Sequence, residues 1–185
     1  MLLRVLFRMP TQQVTPLIST EQLTLRVQEL GRQISMDYID SAIHMVTVMR
    51  GALFFFADLA RAIEAPVSVD YMSIAPAPGA PPTALRIIKD LDESIAGRDV
   101  LLVTDIVDSG FTLSNVIKLL AIRDPASVRV CTLLERPARH AVPCRIDYIG
   151  FEITEPVVVG YGMEWQGYYC NLPYVAAVKL PMCQT

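Results

Sequence analysis

Residues 100–113 read V-L-L-V-T-D-I-V-D-S-G-F-T-L, and this stretch restricts the fold more than any other part of the chain. The apolar run at its start suits a central strand of a parallel sheet, buried on both faces. That strand delivers Asp105 and Asp108 to its C-terminal end, where Ser109-Gly110-Phe111-Thr112 turns into a helix. Gly110 permits close backbone approach, while the first helical N–H groups and the hydroxyls of Ser109 and Thr112 face outward as donors. The arrangement reads as a phosphate cradle. The two carboxylates beside it suit the hydroxyls of a sugar, or a divalent cation bridging sugar and phosphates. Taken alone, a D-x-x-D-S-G match reads first as an ordinary strand-turn-helix with Asp108 or Ser109 as N-cap, so both readings stay open on these residues.

The surrounding chain repeats the alternation. Ser19-x-x-Gln22 forms a capping box ahead of Leu23, Val27, Leu30 and Ile34 at helical spacing. Residues 43–49 make a short apolar run ending at Arg50-Gly51, followed by Leu53, Phe56, Leu59, Ala60 and Ile63 on one helical face. Pro66 opens a strand through Val67, Val69 and Tyr71, and further strands are expected over 85–89, 128–134, 146–151, 157–159 and 174–178, with a helix over 112–123. The β-α-β order predicts a doubly wound α/β fold with ligands beyond the carboxyl ends of its strands. The last strands are expected to extend or cap that sheet. Residues 74–84, I-A-P-A-P-G-A-P-P-T-A, are too rich in Pro and Gly for regular structure and too long for a simple turn, which leaves a lid or a passive excursion.

A chain of 185 residues, 52% hydrophobic, supports one sizeable core and a single domain. Its 16 basic and 19 acidic residues, net −3, are scattered without runs, so no positive surface is offered to a nucleic acid. The four cysteines lack metal-ligand spacing, which points to a reduced, cytoplasmic protein. Arg8 interrupts the apolar start too early for a signal peptide, and no stretch approaches a membrane span. The mean hydropathy of +0.39 points to apolar surface buried between subunits, in a homodimer or homotetramer. His44 reads as a core histidine and His140 as a loop residue. Trp165 reads first as a packing residue, and second as an aromatic surface for a ligand.

The 100–113 stretch resembles the phosphoribosyl-pyrophosphate (PRPP) signature of the type I phosphoribosyltransferases. Three further segments resemble the hypoxanthine (6-oxopurine) branch of that family. Val48-Met49-Arg50-Gly51-Ala52 with Phe56-Ala57-Asp58-Leu59 is similar to its pyrophosphate-binding turn and helix, and Leu133-Leu134-Glu135-Arg136-Pro137 to its purine-contacting segment. Val158-Val159-Gly160-Tyr161-Gly162 and Asn171-Leu172-Pro173-Tyr174 resemble its C-terminal signature. The resemblance implies a type I phosphoribosyltransferase-like fold over 15–185 after an extension at 1–14: a mainly parallel central sheet flanked by helices, a small hood, and a flexible lid at 74–84. It implies transfer of a 5-phosphoribosyl group from PRPP to a purine base, with Mg²⁺ as cofactor. Asp108 would be the acid/base and Asp105, Asp108, Ser109, Gly110, Phe111 and Thr112 would hold PRPP. Arg50 and Gly51 would meet pyrophosphate through a cis peptide. Arg136, Val157, Val158 and Glu164 would contact the purine or nucleotide, and Asp105 and Glu164 the metal.

The chain departs from the family pattern at specific places. Thr104 stands for a glutamate, Ala75-Pro76 for the lid's Ser-Tyr, Arg136 for a lysine, Val157 for a stacking aromatic, Glu164 for an aspartate and Cys170 for an arginine. Three functions follow as alternatives: purine salvage, a PRPP- or nucleotide-binding regulatory protein with weak or no turnover, or a phosphoribosyltransferase with an altered acceptor.

Overall fold

A computed structural model describes residues 14–79 and 85–179. Nine strands and three helices follow in the order β1 (Val14–Ile18), α1 (Thr20–Asp37), β2 (Ile43–Val48), α2 (Leu53–Ala62), β3 (Val67–Pro76), β4 (Leu85–Lys89), β5 (Asp99–Val107), α3 (Phe111–Ala121), β6 (Ser127–Glu135), β7 (Tyr148–Glu152), β8 (Val158–Val159) and β9 (Val175–Val178). The capping box forms as expected. Ser19 Oγ accepts from Gln22 N–H, and Gln22 Oε1 accepts from Ser19 N–H at 2.8 Å.

The main sheet has the order β4-β3-β2-β5-β6-β7, with parallel pairing from β3 through β7. Its central strands alternate between two cores, as the pleat requires. Ile43, Met45, Leu101, Val103, Cys131 and Leu133 face α1 and α2, joining Leu30, Ile34, Phe55 and Leu59. Val46, Val100, Leu102 and Val130 face α3, against Leu113, Val116 and Leu120. Burial on both faces explains why β5 begins as an unbroken apolar run. No described helix is long and apolar enough to cross a membrane.

The structure corrects one expectation and settles two points that the sequence left open. First, Ile74, Ala75 and Pro76 belong to β3 rather than to a loop, because they pair antiparallel with Ile87, Arg86 and Leu85 of β4. A hairpin return needs no crossover helix, which is why this edge alone is antiparallel. Residues 80–84 of the expected lid lie outside the described residues. Second, of the two placements open to the last strands, β7 extends the main sheet, while β8 and β9 form the expected small hood as a separate antiparallel sheet of order β1-β9-β8. Third, β1 carries no strand signal in the sequence, since Pro16 interrupts it. As an edge strand it tolerates the missing N–H, and Val14 already pairs with Val178. Residues 1–13 of the expected extension lie outside the described residues.

Candidate active site

The hood sheet faces the carboxyl ends of β2, β5 and β6, and the candidate residues line the cleft between. At the end of β5 the chain turns through Gly110, buried, with φ 83°. The left-handed φ favours glycine, and space demands it: a Cβ there would overlap Cys144 Sγ and lie 3.1 Å from Val142 Cγ2. Ala141 N–H donates to Ser109 carbonyl at 3.0 Å and ties this inner wall to the turn. Gly110 is itself the N-cap of α3, with no side-chain cap. The helix's leading donors therefore remain open to an anion. They border a cavity of about 270 Å³ lined by Arg50, Gly51, Thr104, Asp105, Asp108, Ser109, Gly110 and Thr112. Phe111 offers only its backbone here; its side chain is 38% exposed and lines none of the cleft.

Asp105, within β5, has its carboxylate against the backbone of Gly51, close enough that a Cβ on Gly51 would overlap Oδ2. Ile106 N–H donates to Asp105 Oδ1 at 2.9 Å and Thr104 hydroxyl at 3.2 Å. Burial outweighs these donors and pushes the carboxyl above the usual carboxylate range. The adjoining turn contains a cis peptide between Met49 and Arg50, at the Arg50-Gly51 turn where the resemblance implied one.

The cleft continues past Asp105 and Asp108 into a second space of about 540 Å³, lined also by Arg136, Pro156, Val157, Val158, Met163, Glu164 and Trp165. Arg136 follows β6 and donates its N–H to Val107 carbonyl at 3.0 Å, so the β5–β6 pairing carries it alongside Asp108. Its guanidinium is 7% exposed and lies 3.1 Å from Asp108 Oδ2. Arg139 Nε lies 3.0 Å from the other carboxylate oxygen, an ion pair without hydrogen-bond alignment. Arg136 Nε is buried and has no partner among the described residues. Across the mouth, Arg50, 82% exposed, approaches Glu164 at 3.9 Å.

Every candidate residue except the Phe111 side chain thus meets in one continuous cleft. Cys170 does not. It borders a separate groove with Asp58, Arg61 and Tyr161, between α1, α2 and the loop before β9. Arg139 joins the site without having been among its sequence candidates, and Trp165, read first as a packing residue, lines the cleft as its second reading allowed. The only local signal for Arg139 was a second arginine one turn after Arg136. Away from the cleft, His44 is buried with Nδ1 2.8 Å from Ser68 Oγ. His140 sits in its loop with Nε2 3.5 Å from Glu135.

Residues 16–166 match the profile of the phosphoribosyl transferase domain. The chain is 43% identical over 171 residues to the hypoxanthine phosphoribosyltransferase of Salmonella typhimurium, covering 90% of this chain and 96% of that one. It is 41% identical over 170 residues to the hypoxanthine-guanine phosphoribosyltransferase of Mycobacterium avium, covering 88% and 84% respectively. Among solved structures, it superposes on a hypoxanthine-guanine phosphoribosyltransferase of Bacillus anthracis with a TM-score of 0.86 at 36% identity, covering 90% of this chain and 99% of that one.

Proposed function

The chain belongs to the phosphoribosyl transferase domain family, in its hypoxanthine branch, and on that premise we propose that it transfers the 5-phosphoribosyl group of PRPP to a 6-oxopurine and releases pyrophosphate, a purine-salvage reaction. The observation that carries this reading is the continuity of the cleft, which runs from the helix N-terminus at Gly110, past Asp105 and Asp108, to Arg136 under the hood.

The groups along the cleft then divide the work. The open N–H groups of the first α3 turn, with Ser109 and Thr112, bind the 5′-phosphate. Asp105 lies beside the ribose, and Arg50 and Gly51 meet pyrophosphate. Arg136 donates to the exocyclic oxygen of the base, and its guanidinium with that of Arg139 holds Asp108 in position. Val157 and Val158 form part of the wall of the base site. The C1′–O bond to pyrophosphate breaks, the bond from the purine nitrogen to C1′ forms, and Asp108 takes the proton the base gives up at N7. The transition state carries positive charge on the sugar, so fixed carboxylates beside it stabilise it.

Asp105 and Glu164 fit a site for Mg²⁺. Both line the same cleft, and Mg²⁺ takes one or two carboxylates plus substrate phosphates rather than a protein cage. Among the described residues no three His, Cys, Asp or Glu side chains gather as such a cage. When bound, Mg²⁺ offsets the charge of the departing pyrophosphate.

The test is an assay with PRPP and Mg²⁺ against hypoxanthine, guanine and xanthine, following nucleotide and pyrophosphate together. Equal yields of the two from a 6-oxopurine are expected. Pyrophosphate without purine nucleotide would overturn the acceptor assignment.

A further inference from the structure

We propose that Trp165 is the aromatic wall against which the base lies, an assignment that rests on reading the cleft as a phosphoribosyl-transfer site. Opposite Asp108 and Arg136 the cleft is walled by two hood segments, 156–158 and 163–165. The first offers only Pro156 and aliphatic side chains. Trp165, in the second, is the single aromatic residue lining the same space among the described residues.

Its position is held tightly. Trp165 and Tyr168 exchange both backbone hydrogen bonds at 3.0 Å, closing a two-residue turn in which Gln166 and Gly167 have φ 53° and 82°. Two positive φ values are the signature of the type I′ hairpin, the tightest connection available. The indole also packs onto the hood core of Val159, Ala176 and Val178. Its Nε1 is buried without a partner among the described residues, whereas a tryptophan serving only as filler normally satisfies that donor.

The other side of the cleft determines what this ring faces. Asp108 and Arg136 present an acceptor and donors side by side, a pattern that reads the edge of a planar heteroaromatic ring. A base bound by its edge to that pair turns a face toward the hood, where Val157 has no π surface to offer and Trp165 does.

Trp165 is the only tryptophan in the chain, so its emission reports the ring directly in the unaltered protein. The probes are inosine 5′-monophosphate, which carries a base, and ribose 5-phosphate, which does not. Inosine monophosphate is expected to change the emission saturably, and ribose 5-phosphate to bind with no such change. Trp165→Leu should weaken inosine monophosphate about tenfold, the scale of one base–aromatic stack, and leave ribose 5-phosphate unaffected, with Trp165→Phe recovering most of the loss. Four results would overturn the assignment: equal emission changes from both probes; calorimetric binding of inosine monophosphate that leaves the emission unchanged; unchanged inosine monophosphate affinity in Trp165→Leu; or equal weakening of both probes, which would mark a structural role. These leave the transferase reading standing. Failure of the unaltered protein to bind inosine monophosphate would overturn that reading, and this assignment with it.

Discussion

The carboxylate of Asp105 rests on the backbone of Gly51, so that β5 and the turn after β2 meet with no room for a side chain between them. Two segments far apart in sequence are thereby locked at the centre of the cleft, with Asp105 desolvated where they meet. That desolvation has a measurable consequence.

Burial raises the Asp105 carboxyl above its ordinary value of 3.8, outweighing the hydrogen bonds it accepts. A group raised in the folded state favours folding when protonated, and that contribution is lost as pH rises through the folded pKa. Asp105→Asn should therefore raise the thermal midpoint by a few degrees at pH 7, with the gain fading as pH falls toward 3.8. The same variant should lose Mg²⁺-dependent PRPP affinity. Thermal scans across pH and a PRPP titration check the two halves; a stability gain that persists unchanged at low pH contradicts the account.

Gly110→Ala should damage the phosphate cradle selectively. The added methyl meets Cys144 Sγ and Val142, and φ 83° must be kept. A left-handed conformation costs a residue with a Cβ about 1–2 kcal/mol, so ribose 5-phosphate affinity should fall by about tenfold or more. Adding Cys144→Ala removes the overlap but not the backbone cost, and should restore only part of the binding.

Asp108→Asn should lower turnover by about 10²–10⁴, the usual contribution of a positioned acid/base, while PRPP affinity is held. Single-turnover kinetics beside equilibrium PRPP binding separate the two effects. Weaker PRPP binding with unchanged kcat would remove Asp108 from its assigned role.

Thr104→Glu tests the departure nearest the cradle. Thr104 now donates its hydroxyl to Asp105 at 3.2 Å; glutamate would remove that donor and add a charge beside a carboxyl already desolvated. Without Mg²⁺, PRPP binding should weaken. With Mg²⁺, the second carboxylate should give a modest net gain, since a charge-assisted contact contributes about 1.5–3 kcal/mol and part is offset by desolvation. Calorimetric titration with and without the metal reads both signs.

Much of the site was legible because its parts are local. An apolar strand, a glycine turn and a helix start within 100–113 specify where Asp105, Asp108 and the open donors stand, since strand pleat and helix termini are properties of neighbouring residues. The capping box at Ser19 and the helical spacing of α1 were readable for the same reason. The hood was less so. β1 and β9 pair Val14 with Val178 across nearly the whole chain, and Pro16 erases the short-range signal of β1. Likewise Ile74, Ala75 and Pro76 look like loop residues in isolation, and their pairing with β4 makes them strand.

The sequence by itself determined the α/β alternation, the glycine turn from strand into helix and the types of charged group beside it, because these depend on spacing along the backbone. Only the tertiary structure decided that Arg136 and Arg139 grip Asp108, that Asp105 presses on Gly51, that Trp165 lines the same space as Asp108 and Arg136, and that Cys170 falls outside the cleft. Those relationships join residues from separate elements, and their distances follow from how two cores and a second sheet pack together.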